Sequence, residues 1–273
     1  MELFDKNNHI FQLDRMRVIP FENWSGVRNM ALDQFFALNM NADSCPVLRF
    51  YGWNPFCLSL GYHQKTDDVD IDKINDGGYQ LVRRPTGGSA IFHSDELTYS
   101  LIVPGKALRH HEVYNTFHFY LANALNDLGI QVTLSKNESR ASYLNQGQKS
   151  FACFNRSAYS EIQYNGKKVV GSAQKIYPNA ILQHGSIMLG AEHEKIASFL
   201  KINNSEKIKY IELLRNNSTS LTKITDNRLK ESQIEEALIK QFELHDKFRM
   251  FFQYISHEEI EKSKNYDKDF QIP

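Results

Sequence analysis

Cys153 and Lys168 are the two residues of this chain whose types and spacing most directly suggest joint chemistry. Cys153 lies in Phe151-Ala152-Cys153-Phe154-Asn155-Arg156, and fifteen residues later Lys168 stands just past Asn165-Gly166. Asn-Gly is the strongest short-range signal for a two-residue β-hairpin. A hairpin returning to its starting level would bring the ammonium near the sulfur. There it favours the thiolate and makes the thiol nucleophilic at neutral pH. The same residues also read as a buried cysteine between two phenylalanines and an exposed lysine, and the stretch by itself leaves both readings open. Cys57, in an apolar run, reads as core, and Cys45 lacks basic neighbours.

Three further stretches have pocket-forming chemistry. In Arg83-Arg84-Pro85-Thr86-Gly87-Gly88-Ser89-Ala90, paired glycines allow close backbone approach and two arginines could clamp an anion; the alternative is a tight turn with two solvated arginines. The GKS and GxGxxG nucleotide patterns are absent from it. His93 follows as a polar candidate for a pocket wall. Gly171-Ser172-Ala173-Gln174 and Gln183-His184-Gly185-Ser186 put small residues at corresponding ends of two expected strands. That suits a wall where a ligand chain lies against backbone, or simply tight strand packing. Ten histidines occur, but no CxxC or HExxH spacing points to zinc, and no metal is expected.

These groups must be positioned by a mixed set of elements. Met30, Leu32, Phe35, Phe36 and Met40 recur with helical spacing behind Asn29 as the expected N-cap. Val47–Tyr51, Phe56–Tyr62 and Tyr79–Arg84 are β-rich, and Leu97, Tyr99, Leu101 and Val103 alternate until Pro104 stops them. Val113 to Leu128 forms one apolar helical face that Gly129 ends. Residues 135–150 read as a mobile loop, residues 159–170 as the hairpin, and Ala180–Leu189 as a strand. Beyond 192 the pattern is mainly helical, with capping-box spacings at Ser232/Glu235 and Ser256/Glu259 and one more strand expected in 248–255. The fold class expected is α+β, with mixed, largely antiparallel sheets and flanking helices. One catalytic domain over 20–250 and a C-terminal strand/helix extension of it over 251–273 are expected.

The 273 residues carry 32 Lys+Arg and 32 Asp+Glu, which excludes bulk polyanion binding, and 41% hydrophobic content provides a sizeable core. No apolar run reaches the roughly 20 residues of a membrane span, no signal-peptide core opens the chain, and three cysteines suit a reducing compartment. A cytoplasmic protein with neither nucleic-acid nor membrane partners is expected. Charge is nonetheless uneven: residues 104–180 hold nine Lys/Arg against four Asp/Glu.

Taken in order, Asn29-Met30-Ala31-Leu32-Asp33, Arg49-Phe50-Tyr51-Gly52-Trp53-Asn54-Pro55, Arg83-Arg84-Pro85-Thr86-Gly87-Gly88, Glu96-Leu97-Thr98-Tyr99-Ser100, Lys168-Val169-Val170-Gly171-Ser172-Ala173-Gln174 and Gln183-His184-Gly185-Ser186 resemble the biotin/lipoate protein ligase superfamily. The set looks most like its cysteine-dependent octanoyltransferase branch, over residues 20–190. The resemblance implies transfer of an octanoyl group from acyl carrier protein to an enzyme cysteine, then to a lysine of a lipoyl domain such as that of the glycine-cleavage H protein. It implies that Cys153 is the acyl acceptor and that Lys168 lowers its pKa and orients the acyl carbonyl. It also implies that Arg83, Arg84, Thr86, Gly87, Gly88 and His93 belong to the acyl-pocket wall, beside the small-residue candidates Gly171, Ser172, Ala173, His184 and Gly185. No cofactor is expected, because the thioester already carries the activation. The competing readings are an ATP-dependent lipoate–protein ligase, an amidotransferase taking octanoyl from H protein, and a noncatalytic binder of acyl carriers.

Overall fold

A computed structural model describes residues 14–105, 109–136 and 160–272. Strand β1 (Arg15–Trp24) leads into helix α1 (Gly26–Leu38), then β2 (Val47–Trp53) and β3 (Cys57–Leu60). Helix α2 (Ile71–Asp76), β4 (Gln80–Arg83), β5 (Ile91–His93), β6 (Glu96–Pro104) and helix α3 (His110–Asp127) follow. Next come β7 (Thr133–Lys136), β8 (Ser160–Tyr164), β9 (Lys167–Lys168), β10 (Val170–Ile176) and β11 (Ala180–Met188). The rest is helical apart from β12 (Arg249–Phe252).

A six-stranded sheet in the order β10-β11-β6-β2-β1-β12 forms the centre, with three-stranded sheets β4-β3-β5 and β7-β8-β9 beside it. Pairing is antiparallel through β10, β11, β6 and β2 and parallel for β2-β1 and β1-β12, so the expected mixed, largely antiparallel class holds. One face of the large sheet packs its alternating apolar residues Leu97, Tyr99, Leu101 and Val103 against α3 and the helix Glu231–His245. Its other face meets α1 and the small sheet. Burial on both faces explains why β2 and β11 lack the polar alternation of a half-exposed strand.

Several local expectations are met for the physical reasons that prompted them. Asn165 and Gly166 adopt φ of 48° and 77°, the left-handed pair that closes a two-residue hairpin. Gly129 ends α3 at φ 83°, and Ser256 caps the Glu259 N–H while the Glu259 carboxylate returns to the Ser256 N–H. Two helix starts move upstream. Ser25, not Asn29, caps α1, because Asn29 is buried and turned inward to Gly52 and Arg49. The helix expected at Ser232 begins at Glu231, with Gln233 accepting the Lys230 N–H at 2.9 Å. The loop expected over 135–150 begins as strand β7, and its remainder lies outside the described residues. No described helix is long and apolar enough to cross a membrane.

Candidate active site

A cleft lies between the large sheet and the β4-β3-β5 sheet, and Met30 of α1 joins its lining. Its floor is made of Gly171, Ser172 and Ala173 on β10, His184, Gly185 and Ser186 on β11, Thr98 on β6, and Tyr51 and Trp53 on β2. Arg84, Ile91 and His93 close it from above. Gly185 is required by close approach: a Cβ there would stand 2.6 Å from the Gly171 carbonyl oxygen and 2.8 Å from the Tyr99 ring. At Gly61, a Cβ would collide with the carbonyl oxygen of Gly88, so this glycine lets β3 and the Gly87-Gly88 turn pack together.

Two buried carboxylates hold the walls. Asp33, on α1, accepts from Arg49 Nη1 at 2.9 Å, Tyr51 OH at 2.9 Å, Ser100 Oγ at 2.8 Å and His184 Nδ1 at 3.4 Å. Burial pushes its carboxyl upward, but the His184 hydrogen bond and the Arg49 charge outweigh this and hold it below the ordinary carboxylate range. Burial lowers the His184 pKa against the opposing pull of Asp33. With Nδ1 donating to Asp33, its Nε2 accepts from Thr86 Oγ1 at 2.7 Å. Glu96 lies on β6 and accepts from His93 Nδ1 at 2.7 Å, Trp53 Nε1 at 3.1 Å and the hydroxyls of Thr98 and Ser186. Burial again pushes upward, and here the His93 contact, ahead of the Ser186 and Thr98 hydroxyls, holds the carboxyl low. The His93 ring also stacks on Trp53, centroids 3.9 Å apart and planes 12° from parallel. Its Nε2 meets Ser59 Oγ at 2.8 Å. The two imidazoles are thus fixed cleft walls, each oriented by a carboxylate on one nitrogen and a hydroxyl on the other.

Arg84 is buried, and its guanidinium donates to the Ser59 carbonyl and hydroxyl, the Gly87 carbonyl and the Ser89 carbonyl at 2.7–3.2 Å. Arg83 donates to the carbonyls of Gly61, Tyr62 and Gln64. The two arginines therefore stitch the Gly87-Gly88 turn to β3 and the segment after it. Lys168 ends β9 three residues before Gly171 and is 5% exposed. Its Nζ meets Glu161 Oε1 of β8 at 2.7 Å, with Glu161 3% exposed. An exposed lysine, the bland alternative, is not what the hairpin holds. Among the described residues, no cluster of His, Cys, Asp and Glu could bind a metal.

The family model for the lipoyl protein ligase A/B catalytic domain matches residues 25–243. The chain belongs to this family. It is 36% identical over 197 residues to a protein of Clostridioides difficile named octanoyltransferase LipM, covering 71% of this chain and 73% of that one. It is 37% identical over 227 residues to the Macrococcus caseolyticus protein of the same name, covering 79% and 81%. Among solved structures, a lipoate-protein ligase A bound with ATP superposes with a TM-score of 0.75, 18% identity and coverage of 94% of this chain and 95% of that one. A bipartite lipoate protein ligase from Thermoplasma acidophilum, described with its E2 lipoyl domain, gives 0.76 and 19%, covering 94% and 93%. At these identities the structural likeness speaks for the fold, which is that of the lipoate-protein ligase catalytic domain.

In this family member the cleft gathers Arg84, His93, Gly171, Ser172, Ala173, His184 and Gly185 from the sequence candidates. Thr86 reaches it through His184, whereas Arg83, Gly87, Gly88 and Lys168 are not among its lining residues. Cys153 lies outside the described residues. Sequence reading missed the roles of Asp33, Arg49, Glu96, Ser59 and Glu161. Glu161 had a usable signal: it shares a face with Gln163, which opposes Lys168 in the hairpin, making Glu161 a diagonal neighbour.

Proposed function

We propose that the chain moves an octanoyl group from acyl carrier protein to a lysine of a lipoyl domain, of the H-protein type, through a thioester on Cys153. The chain is an octanoyltransferase of protein lipoylation, in line with its relatives named octanoyltransferase LipM. The observation that carries it is the buried Lys168–Glu161 pair three residues before Gly171, which opens the small-residue floor of the cleft.

In the first step the Cys153 thiolate attacks the acyl carbonyl of the carrier thioester. The carbon–sulfur bond to the carrier breaks, and the carrier thiolate leaves and takes a proton. In the second step the neutral ε-amine of the lipoyl-domain lysine attacks the Cys153 thioester, an amide forms, the Cys153 thiolate returns and the amine's proton is lost to solvent. The Lys168 ammonium favours the thiolate and stabilises charge on the acyl oxygen as each tetrahedral intermediate forms. The two steps need neither ATP nor a bound cofactor, because each acyl donor is a thioester. The cationic excess of residues 104–180 suits acidic carrier and lipoyl domains.

Intact-mass spectrometry after mixing with octanoyl-carrier protein tests this reading. The unmodified protein is expected to gain one octanoyl group, which an apo lipoyl domain then discharges, and Cys153→Ala is expected to gain none. A persistent adduct on Cys153→Ala would sink the assignment.

A further inference from the structure

The last ten described residues do not line the cleft, yet Phe270 among them shares an apolar cluster with Met30, Tyr51 and Trp53 of its lining. Helix α1 turns Met30 toward the cleft and Arg28 and Gln34 toward the C-terminal segment. Arg28 donates to Ser263 Oγ at 2.9 Å and pairs with Asp267 at 3.0 Å, and Gln34 donates to Asp269 at 2.7 Å. Beside these clamps Phe270, 3% exposed, enters the apolar cluster of Met30, Tyr51, Trp53, Cys57 and Val82. Gln271 then forms a bridge with Val82 of β4. The tail is therefore fastened both to α1 and to the small sheet, the two elements that face the large sheet across the cleft.

The cleft floor is graded. Gly171 and Ala173 lie on the edge strand β10, with Gly185 beside them on β11, near the strand that carries Lys168, while Tyr51 and Trp53 lie on β2, three strands from β10. Three strand spacings amount to about 14 Å. The edge exposes backbone and admits a thin chain, and the far end is closed by large side chains backed by Phe270. On the octanoyl-transfer reading, on which this inference rests, the acyl carbonyl stays at the edge and the terminal methyl points toward Met30.

We infer that the C-terminal segment 263–272 sets the acyl chain length the enzyme accepts, with Phe270 acting as a positioning residue that holds Met30 against the end of the cleft. A structural role alone would slow transfer of every acyl group equally; an acyl ruler changes the ranking among them.

Rates of adduct formation with hexanoyl-, octanoyl-, decanoyl- and dodecanoyl-carrier protein, read by intact mass on the full chain, test this. Phe270→Ala and Met30→Ala are expected to raise the decanoyl-to-octanoyl ratio of kcat/KM by about tenfold, the scale of burying two further methylenes. The double variant should gain little beyond either single one, because both open the same wall. Met30→Phe shortens the cleft and should favour hexanoyl, an opposite shift that impaired folding does not produce. A ratio unchanged in all three single variants, or an equal loss at every chain length, overturns the inference. Failure of the underlying octanoyl-transfer reading has a different signature: the unmodified protein then forms no adduct with any of the four donors.

Discussion

The cleft and the β8–β9 hairpin meet near Gly171, and they keep buried charge by opposite means. In the cleft, Asp33 gathers donors from α1's neighbours across the whole fold: Arg49 and Tyr51 on β2, Ser100 on β6 and His184, 151 positions away, on β11. In the hairpin, the Lys168 ammonium meets a carboxylate only seven positions away on the adjoining strand. The first arrangement exists only once the large sheet is assembled. The second is built by one turn and two short strands. On the proposed reading a transferase benefits from the division, because the wall assigned to the acyl chain stays fixed while the charge assigned to the carbonyl is set locally.

Breaking Asp33 should have the largest effect on the comparison. Asp33→Asn leaves the Arg49 guanidinium, which is wholly buried, without its counter-charge, and a loss of about 3–5 kcal/mol is expected for a broken buried pair. Urea unfolding measures it. The pH dependence supplies a second reading. The Asp33 pKa is lowered in the folded chain, so its contribution is complete above the ordinary carboxylate range and disappears as pH falls through that range toward the lowered folded value. Glu96 acts with the same sign. Stability should therefore fall steeply below about pH 4, and less steeply in Asp33→Asn. An unchanged acid slope in the variant would show that Asp33 is not what the cleft's stability rests on.

The hairpin ranks next. Lys168→Met keeps the apolar stem and removes the charge that the reading assigns to the acyl oxygen. Acylation by octanoyl-carrier protein should slow by about 10²–10³-fold, the usual loss of one transition-state donor, while the decanoyl-to-octanoyl ratio stays put. Glu161→Gln is the gentler companion. It removes the carboxylate that holds the Lys168 ammonium in place, so acylation should slow by less than in Lys168→Met. If Lys168→Met changed chain-length ranking instead of rate, the two regions would not be separable as drawn.

The same contrast explains what could be read from the sequence. Asn165-Gly166 announces the hairpin, periodicity with Gly129 announces α3, and Ser256-x-x-Glu259 announces its cap, because each signal and its structure lie within one turn or strand. The motif residues His93, Gly171, Ala173 and His184 line one cleft. Arg49 is different. In Val47-Leu48-Arg49-Phe50-Tyr51 it resembles an outward-facing charge on a strand, and only α1 lying over β2 turns it into a buried partner of Asp33. Asn29 was misread for a related reason: its amide looks like a helix cap until the Gly52 carbonyl and the Arg49 guanidinium claim it. Long-range pairing had no local signature. The tail's hold on α1, through Asp267, Asp269 and Phe270, was hidden in the same way.

The smallest effect isolates the turn itself. Gly166 sits at φ 77°, and a Cβ built there meets no atom within 4 Å. Gly166→Ala therefore carries only the backbone cost of the left-handed conformation, about 1 kcal/mol, with no steric clash added. Because the turn sets the register that places Gln163 opposite Lys168 and Glu161 diagonal to it, the cost should fall on the hairpin. Acylation should slow by several-fold and global stability should drop by no more than that amount in urea. Chain-length ranking, which is assigned to Met30 and the tail, should not change. A shift in ranking would mean that the turn's strain reaches the far end of the cleft, and that the hairpin and the acyl wall behave as one unit.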